Sequence, residues 1–170
     1  IATFSFSEMP NMATDLSTRA HALIQDDLIV FALSARRLFE STNSVDLARS
    51  AKVPVLGVSN PYPDFDFEKV DEISIWRLLG VLIHSDYLEV LLSEFELILW
   101  LDVDADYSRV VEDMKSNQKL IAPLLFTRSD REKFALYPLR DFIQIFDEKL
   151  DEVLDRCAVD RLYLGSFHGL

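Results

Sequence analysis

The apolar residues of this chain recur at helical spacing in three stretches. In residues 15–42, 74–85 and 138–157 an apolar side chain returns every three or four positions, which builds one stripe along each predicted helix. The stripe of the first stretch consists of Ile24, Leu28, Phe31, Ala35 and Leu38. Ser74 stands at the N-cap position of the second stretch. The pattern therefore predicts three amphipathic helices.

Two other parts of the chain alternate apolar and polar residues, which is typical of strands. Residues 95–103 show this alternation, and 88–92 are expected to pair with them across a short turn. A second strand pair is predicted over 120–127 and 133–137, which a turn-rich segment separates. We therefore predict a mainly α (α+β) fold, a helical bundle of long amphipathic helices plus a small antiparallel β-hairpin or sheet insertion between residues 88 and 137.

Residues 53–72 interrupt the helical pattern. The residues that break it are Pro54, Gly57, Pro61 and Pro63. They predict a long loop, which we expect to lie on the body of the protein because Phe65 and Phe67 are part of it. A short helix with Ser44 as its N-cap is predicted over 44–52, just before this loop.

A chain of 170 residues is long enough to bury one hydrophobic core, so we expect a single domain over 1–170. Its predicted segments, in order, are an N-terminal arm (1–14), the first helices (15–87), the β insertion (88–137), the final long helix (138–157) and a tail (158–170).

The charge of the chain limits its partners. The net charge is −12, and a surface of that sign repels phosphate backbones, so RNA is expected only at a local basic site. The loosely clustered basic residues are Arg36, Arg37, Arg49 and Lys52. No apolar run reaches the roughly 18 residues of a membrane span, so no membrane partner is expected. The single cysteine, Cys157, indicates a reducing compartment, and we predict a cytoplasmic protein.

The second predicted helix carries the leading candidates for chemistry. Arg77 and His84 are seven residues apart, so two helical turns return them to nearly the same face. Together with the segment Leu82-Ile83-His84-Ser85, this spacing resembles the HEPN superfamily (higher eukaryote and prokaryote nucleotide-binding domains). The start of the final helix, residues 137–142, is similar to a segment that follows a hairpin in such proteins. The resemblance covers residues 15–155 in outline.

This resemblance implies a helical bundle that forms a homodimer. In active members an Arg and a His at the dimer interface promote attack of a ribose 2′-hydroxyl on the adjacent phosphate without a metal. The resemblance implies that His84 acts as general acid or base and that Arg77 holds the phosphoryl oxygens. A structural role stays open for both, because a histidine at a helix C-terminus is stabilised by the helix dipole and an arginine near a helix start is usually solvated or ion-paired.

The sequence assigns no metal or cofactor. The nearest metal candidates are Asp102, Asp104 and Asp106, which alternate like the first ligands of a calcium loop, although Tyr107 stands where that loop needs glycine. A solvated strand end is the alternative interpretation. We expect no cofactor, because the chain has no Walker loop, no dinucleotide fingerprint and no zinc-ligand spacing.

Three hypotheses about function follow. The first is a HEPN-like dimerising or partner-binding module without efficient catalysis. The second is a metal-independent RNA endonuclease of a defence or toxin–antitoxin system that uses Arg77 and His84. The third is an unrelated acidic helical adaptor, for which the carboxylates on the outer face of the final helix would form the binding surface.

Overall fold

The computed structural model describes residues 9–60, 66–93, 120–128 and 134–157. Its helices are α1 (Met9–Ser41), α2 (Val45–Ser50), α3 (Ile75–His84) and α4 (Leu139–Arg156). Its strands are β1 (Lys52–Asn60), β2 (Asp66–Ser74), β3 (Tyr87–Ser93), β4 (Leu120–Arg128) and β5 (Phe134–Pro138).

The five strands form one antiparallel sheet in the order β2-β1-β5-β4-β3. The prediction of a helical bundle with a small β insertion between residues 88 and 137 is therefore wrong, and the fold is α+β. Strands begin at Lys52, well before that insertion, and the helices cover one face of a five-stranded sheet instead of forming a bundle of their own.

The predicted loop over 53–72 is the main reason for this error, because it forms the hairpin of β1 and β2. Pro54 has no N–H to donate to a neighbouring strand. It fits in β1 because the registered pair of β1 and β5 is Leu56 with Leu136, so β5 needs no hydrogen bond from Pro54. The pairing with β2 shifts its register between Val55 and Leu56. Val53 and Val55 face the larger core, whereas Leu56 and Val58 face the second one, so β1 has apolar residues on both faces and shows no simple alternation of apolar and polar residues.

Gly57, another residue that suggested a loop, lies in β1 where a neighbouring side chain comes close. A Cβ added to Gly57 would lie 2.6 Å from Cγ1 of Val70, which is on the paired strand β2. The glycine is explained by this close approach rather than by a turn.

Several local predictions are confirmed. The strand pair over 120–127 and 133–137 is β4 and β5, and 88–92 lies within β3. The hydroxyl of Ser74 accepts a hydrogen bond of 3.3 Å from the backbone N–H of Arg77 and caps α3. Residues 95–103 lie outside the described residues, and the described partner of β3 is β4.

Other boundaries differ from the prediction. The first helix already begins at Met9, inside the segment expected to be an arm. Ser44 precedes α2, but its buried hydroxyl donates to the carbonyl of Thr42 at 3.2 Å and makes no capping bond to the helix.

The sheet has apolar residues buried on both faces. The larger core lies between the sheet and the helices, and the second lies on the opposite face. The larger core includes Phe39, Leu78, Leu79, Leu82 and Phe142 from the helices and Val53, Leu88, Val90, Leu125 and Tyr137 from the strands. The second contains Leu91, Leu124, Phe126 and Leu136, all less than 5% exposed. Burial on both faces explains the nearly unbroken apolar run of β4.

Candidate functional site

An apolar groove lies between α1 and α4, with β3 and β4 beneath it. Its volume is about 790 Å³, and it is open to solvent. The apolar residues that line it are Ile24, Leu28 and Phe31 from α1, Leu139, Phe142, Ile143 and Phe146 from α4, Val90 from β3 and Pro123 from β4. We refer to this surface as the α1–α4 groove.

Aromatic rings connect the two walls of the groove. The ring of Phe31 makes edge-to-face contacts with Phe146 at a centroid distance of 4.9 Å and with Phe142 at 6.1 Å. Deeper in the core, Phe39 makes a similar contact with Phe146 at 5.9 Å. Edge-to-face pairs at these distances are favourable beyond the area that they bury. The rings thus hold α1 beside α4 and leave the space between the helix backbones as a groove.

Exposed apolar side chains lie both in the groove and next to it. On α1, Leu23 is 65% exposed and Val30 is 61% exposed, while on α4 Ile143 is 58% exposed. Single exposed apolar residues are ordinary, but these flank an apolar cavity. The groove itself is open to solvent and its described lining is mostly apolar, which makes it the main candidate for a binding site.

Three charged residues lie on or next to the groove. Asp27 follows Ile24 by three positions and precedes Phe31 by four, so it lies on the same side of α1. On α4, Arg140 and Asp147 contribute to the lining. Asp27 and Arg140 are exposed, as is Asp147. Among the residues that the structure describes, these three have no ion-pair partner.

Arg77 and His84, the residues predicted for catalysis, are both exposed on α3. Two turns of helix separate them, so their Cα atoms are about 10 Å apart along the axis. Between them lies Gly80, where an added Cβ would lie 3.2 Å from Nη1 of Arg36. The guanidinium carbon of Arg36 is 4.2 Å from the ring centroid of Trp76. The packing of α1 on α3 therefore brings a third basic residue to this face, a neighbour that sequence spacing did not indicate.

Below this face, Arg77 lies near a buried tyrosine. Burial raises the pKa of the Tyr137 phenol, and a hydrogen bond with Thr127 and the charge of Arg77 partly offset that rise. Tyr137 and Thr127 are each 3% exposed, and they satisfy each other's polar atoms within the larger core. The phenol is protonated at neutral pH, so this pair is a structural element under α3 and not an ionised catalytic group.

The remaining sequence candidates give no site in the described residues. Asp102, Asp104 and Asp106 lie outside them, and within the described ranges no group of His, Cys, Asp or Glu side chains could hold a metal ion. Cys157 is a free, exposed thiol just after α4. Nearby, Arg156 donates two hydrogen bonds of 3.0 Å to the carboxylate of Asp46, which lowers the pKa of Asp46 and ties α2 to α4.

Comparison with known protein families, with characterised proteins and with solved structures finds no match to this chain. The HEPN resemblance therefore stays a prediction. Within the described residues, no helix has the length and apolarity that crossing a bilayer requires.

Proposed function

We propose that this protein is a partner-binding module whose α1–α4 groove receives an apolar helix of a protein. The observation that carries the proposal is the apolar groove itself, in whose lining the side chain of Ile143 is still 58% exposed. A cytoplasmic location belongs to the same proposal and is supported by the single unpaired thiol of Cys157.

The shape of the surface favours a helix over a small molecule. The groove volume of about 790 Å³ lies within the range of small-molecule sites. A small apolar ligand inside it would leave Leu23 and Val30 in water, because both lie outside the groove lining. We expect a helix, which is longer than such a ligand, to cover part of this neighbouring surface too, and the apolar area that it covers contributes to the affinity.

The length of the groove also fits helical spacing. Ile24 and Phe31, both on its α1 wall, are seven residues apart, which corresponds to about 10 Å of helix. A partner helix lying along this wall places apolar side chains at positions i, i+3 or i+4, and i+7 into the groove.

A substitution at Ile143 tests the proposal. We expect Ile143→Glu to weaken binding at least about tenfold, since it places a charge against the apolar partner (about 1.4 kcal/mol). The probe is a fluorescein-labelled, alanine- and glutamine-based helical peptide with leucines at i, i+3, i+4 and i+7, measured by fluorescence anisotropy. Val70→Glu is the matched control, because Val70 is also 58% exposed but lies on β2. Equal affinity of the native protein and both variants would contradict the proposal.

The same variant, Ile143→Glu, tests whether the groove binds a second copy of this protein, as expected for the homodimer that the HEPN resemblance implies. Light scattering at micromolar concentration compares the mass of the native protein with that of Ile143→Glu. If the native protein has the mass of two chains and Ile143→Glu has the mass of one, the partner in the groove is a second copy of this protein. If the native protein and the variant both have the mass of one chain, the partner is a different protein.

A second candidate function is metal-independent RNA cleavage at the exposed face of α3. It is favoured by Arg36, whose guanidinium lies over Gly80 between Arg77 and His84 and adds positive charge to an otherwise acidic protein. The helical bundle that the family resemblance implies is not formed, so this candidate rests on the local arrangement of the three side chains.

An RNA cleavage assay in EDTA tests this second candidate. If α3 is a nuclease site, we expect the native protein to cleave RNA and His84→Ala to lower the rate at least about a hundredfold, which is the usual contribution of a general acid or base. Asp86→Ala, which changes an exposed residue just beyond α3, is the control. Intact RNA with the native protein would remove the nuclease hypothesis.

A further inference from the structure

We infer that the α1–α4 groove selects a helix whose polar edge is basic, and that Arg140 and Asp147 fix the direction in which that helix lies. This inference rests on the proposed function and adds the chemistry of the partner.

Two carboxylates in or beside the groove have no ion-pair partner among the residues that the structure describes. Asp27 on α1 and Asp147 on α4 are exposed, and neither forms an ion pair in the described part of the protein. A carboxylate next to an apolar surface favours a ligand that combines apolar side chains with cations. An amphipathic helix with Lys or Arg beside its leucine stripe meets both requirements.

Three cations on α1 and α4 have contacts of their own, which reduces the positive charge that they offer to a partner. Lys149 pairs with Glu152, and Arg156 pairs with Asp46. Arg36 lies over the ring of Trp76, on the α3 side of α1. Among the described lining residues, Arg140 is the remaining cation. With the net charge of −12, the groove therefore faces its partner with a predominantly negative field, which speeds the approach of a basic segment.

The charges of α4 also change sign along the groove. Arg140 and Asp147 are seven residues apart, so they lie on one side of the helix about 10 Å from each other. A partner helix with a carboxylate at one end of its polar edge and a cation two turns away matches this pair in one direction and repels it in the other. Repulsion of the wrong orientation contributes to specificity as much as attraction in the right one.

Charge reversal at Asp147 tests the inference. Three labelled helical peptides are used that share the same leucine stripe and differ only in flanking residues, which are Lys, Gln or Glu. We expect the native protein to bind the Lys peptide about three- to tenfold more tightly than the Glu peptide, and 500 mM salt to remove most of this preference. Asp147→Lys should reverse the order, while the Gln peptide should bind both proteins alike.

Asp155→Lys is the matched control, because it changes the net charge equally and lies on α4 outside the groove lining. The preference for the Lys peptide should persist in this variant. Equal binding of the three peptides to the native protein, or an equal effect of Asp155→Lys and Asp147→Lys, would overturn the inference and leave the partner-binding proposal intact. Failure of all three peptides to bind would instead contradict the partner-binding proposal itself.

The direction of the bound helix is tested with two further peptides. Both carry the same leucine stripe with one Glu and one Lys seven residues apart, and they differ in which of the two comes first. We expect the native protein to bind one order about three- to tenfold more tightly than the other, and the double variant Arg140→Glu with Asp147→Lys to exchange them. Equal affinity for both orders would refute the role of Arg140 and Asp147 in orientation.

Discussion

Phe39→Ala should lower the free energy of unfolding by about 3–5 kcal/mol, the usual range for truncating a buried phenylalanine. The side chain of Phe39 is completely buried in the larger core, and its ring contacts Phe146 edge-to-face. Its removal leaves a cavity between α1 and α4 that the rigid surroundings fill only in part. Urea unfolding followed by tryptophan fluorescence measures the loss, with the slope of the transition checked for two-state behaviour.

Phe31→Ala is the matched control for Phe39→Ala. Phe31 lies on the same helix and contacts the same Phe146 ring, but it is 36% exposed and lines the groove. We expect a loss of about 1–2 kcal/mol, because less apolar area leaves water when Phe31 packs. If Phe39→Ala and Phe31→Ala lost the same stability, the conclusion that Phe39 belongs to the core and Phe31 to the groove would be wrong.

Phe126→Ala should cost about 3–5 kcal/mol as well, although Phe126 lies on the face of the sheet opposite the helices. The residue is 1% exposed and stacks on Phe134 at 6.0 Å, while Tyr87 contacts it edge-to-face at 6.1 Å. This substitution tests whether the second face of the sheet belongs to the stable core. The measurement is the same urea transition.

Phe134→Ala serves as the control for Phe126→Ala. It removes the other ring of the same stacked pair, but Phe134 is 46% exposed, so the expected loss is about 1 kcal/mol. A small and equal loss in both variants would show that this face of the sheet contributes little to stability.

The three longer helices could be predicted from the sequence because each one repeats its apolar stripe over several turns. The start of α3 was specified by Ser74, whose hydroxyl makes the capping bond to Arg77. The hairpin of β1 and β2 could not be predicted in this way. Pro54 and Gly57 are ordinary loop residues, and their place in a strand depends on the register with β5 and on the position of Val70, which are tertiary features.

The candidate site was predictable in composition but not in form. The stripe of α1 included Ile24 and Phe31, yet nothing in its period shows which part would be covered by α3 and which would be left beside α4. Likewise, the sequence placed Arg77 and His84 on one face, whereas the arrival of Arg36 at Gly80 depends on how α1 crosses α3. Contacts between distant segments decide both features.

The order of the strands in the sheet has a consequence for biosynthesis. The first hairpin, β1 with β2, leaves the ribosome early, but β1 gains its second neighbour when β5 has been made, near the end of the described chain. Until then, one side of β1 presents unpaired backbone groups, and Phe142 and Phe146 of α4 are not yet available to close the core. We therefore expect the nascent chain to depend on chaperones until α4 emerges, and folding to be slow because its decisive contacts join distant parts of the sequence.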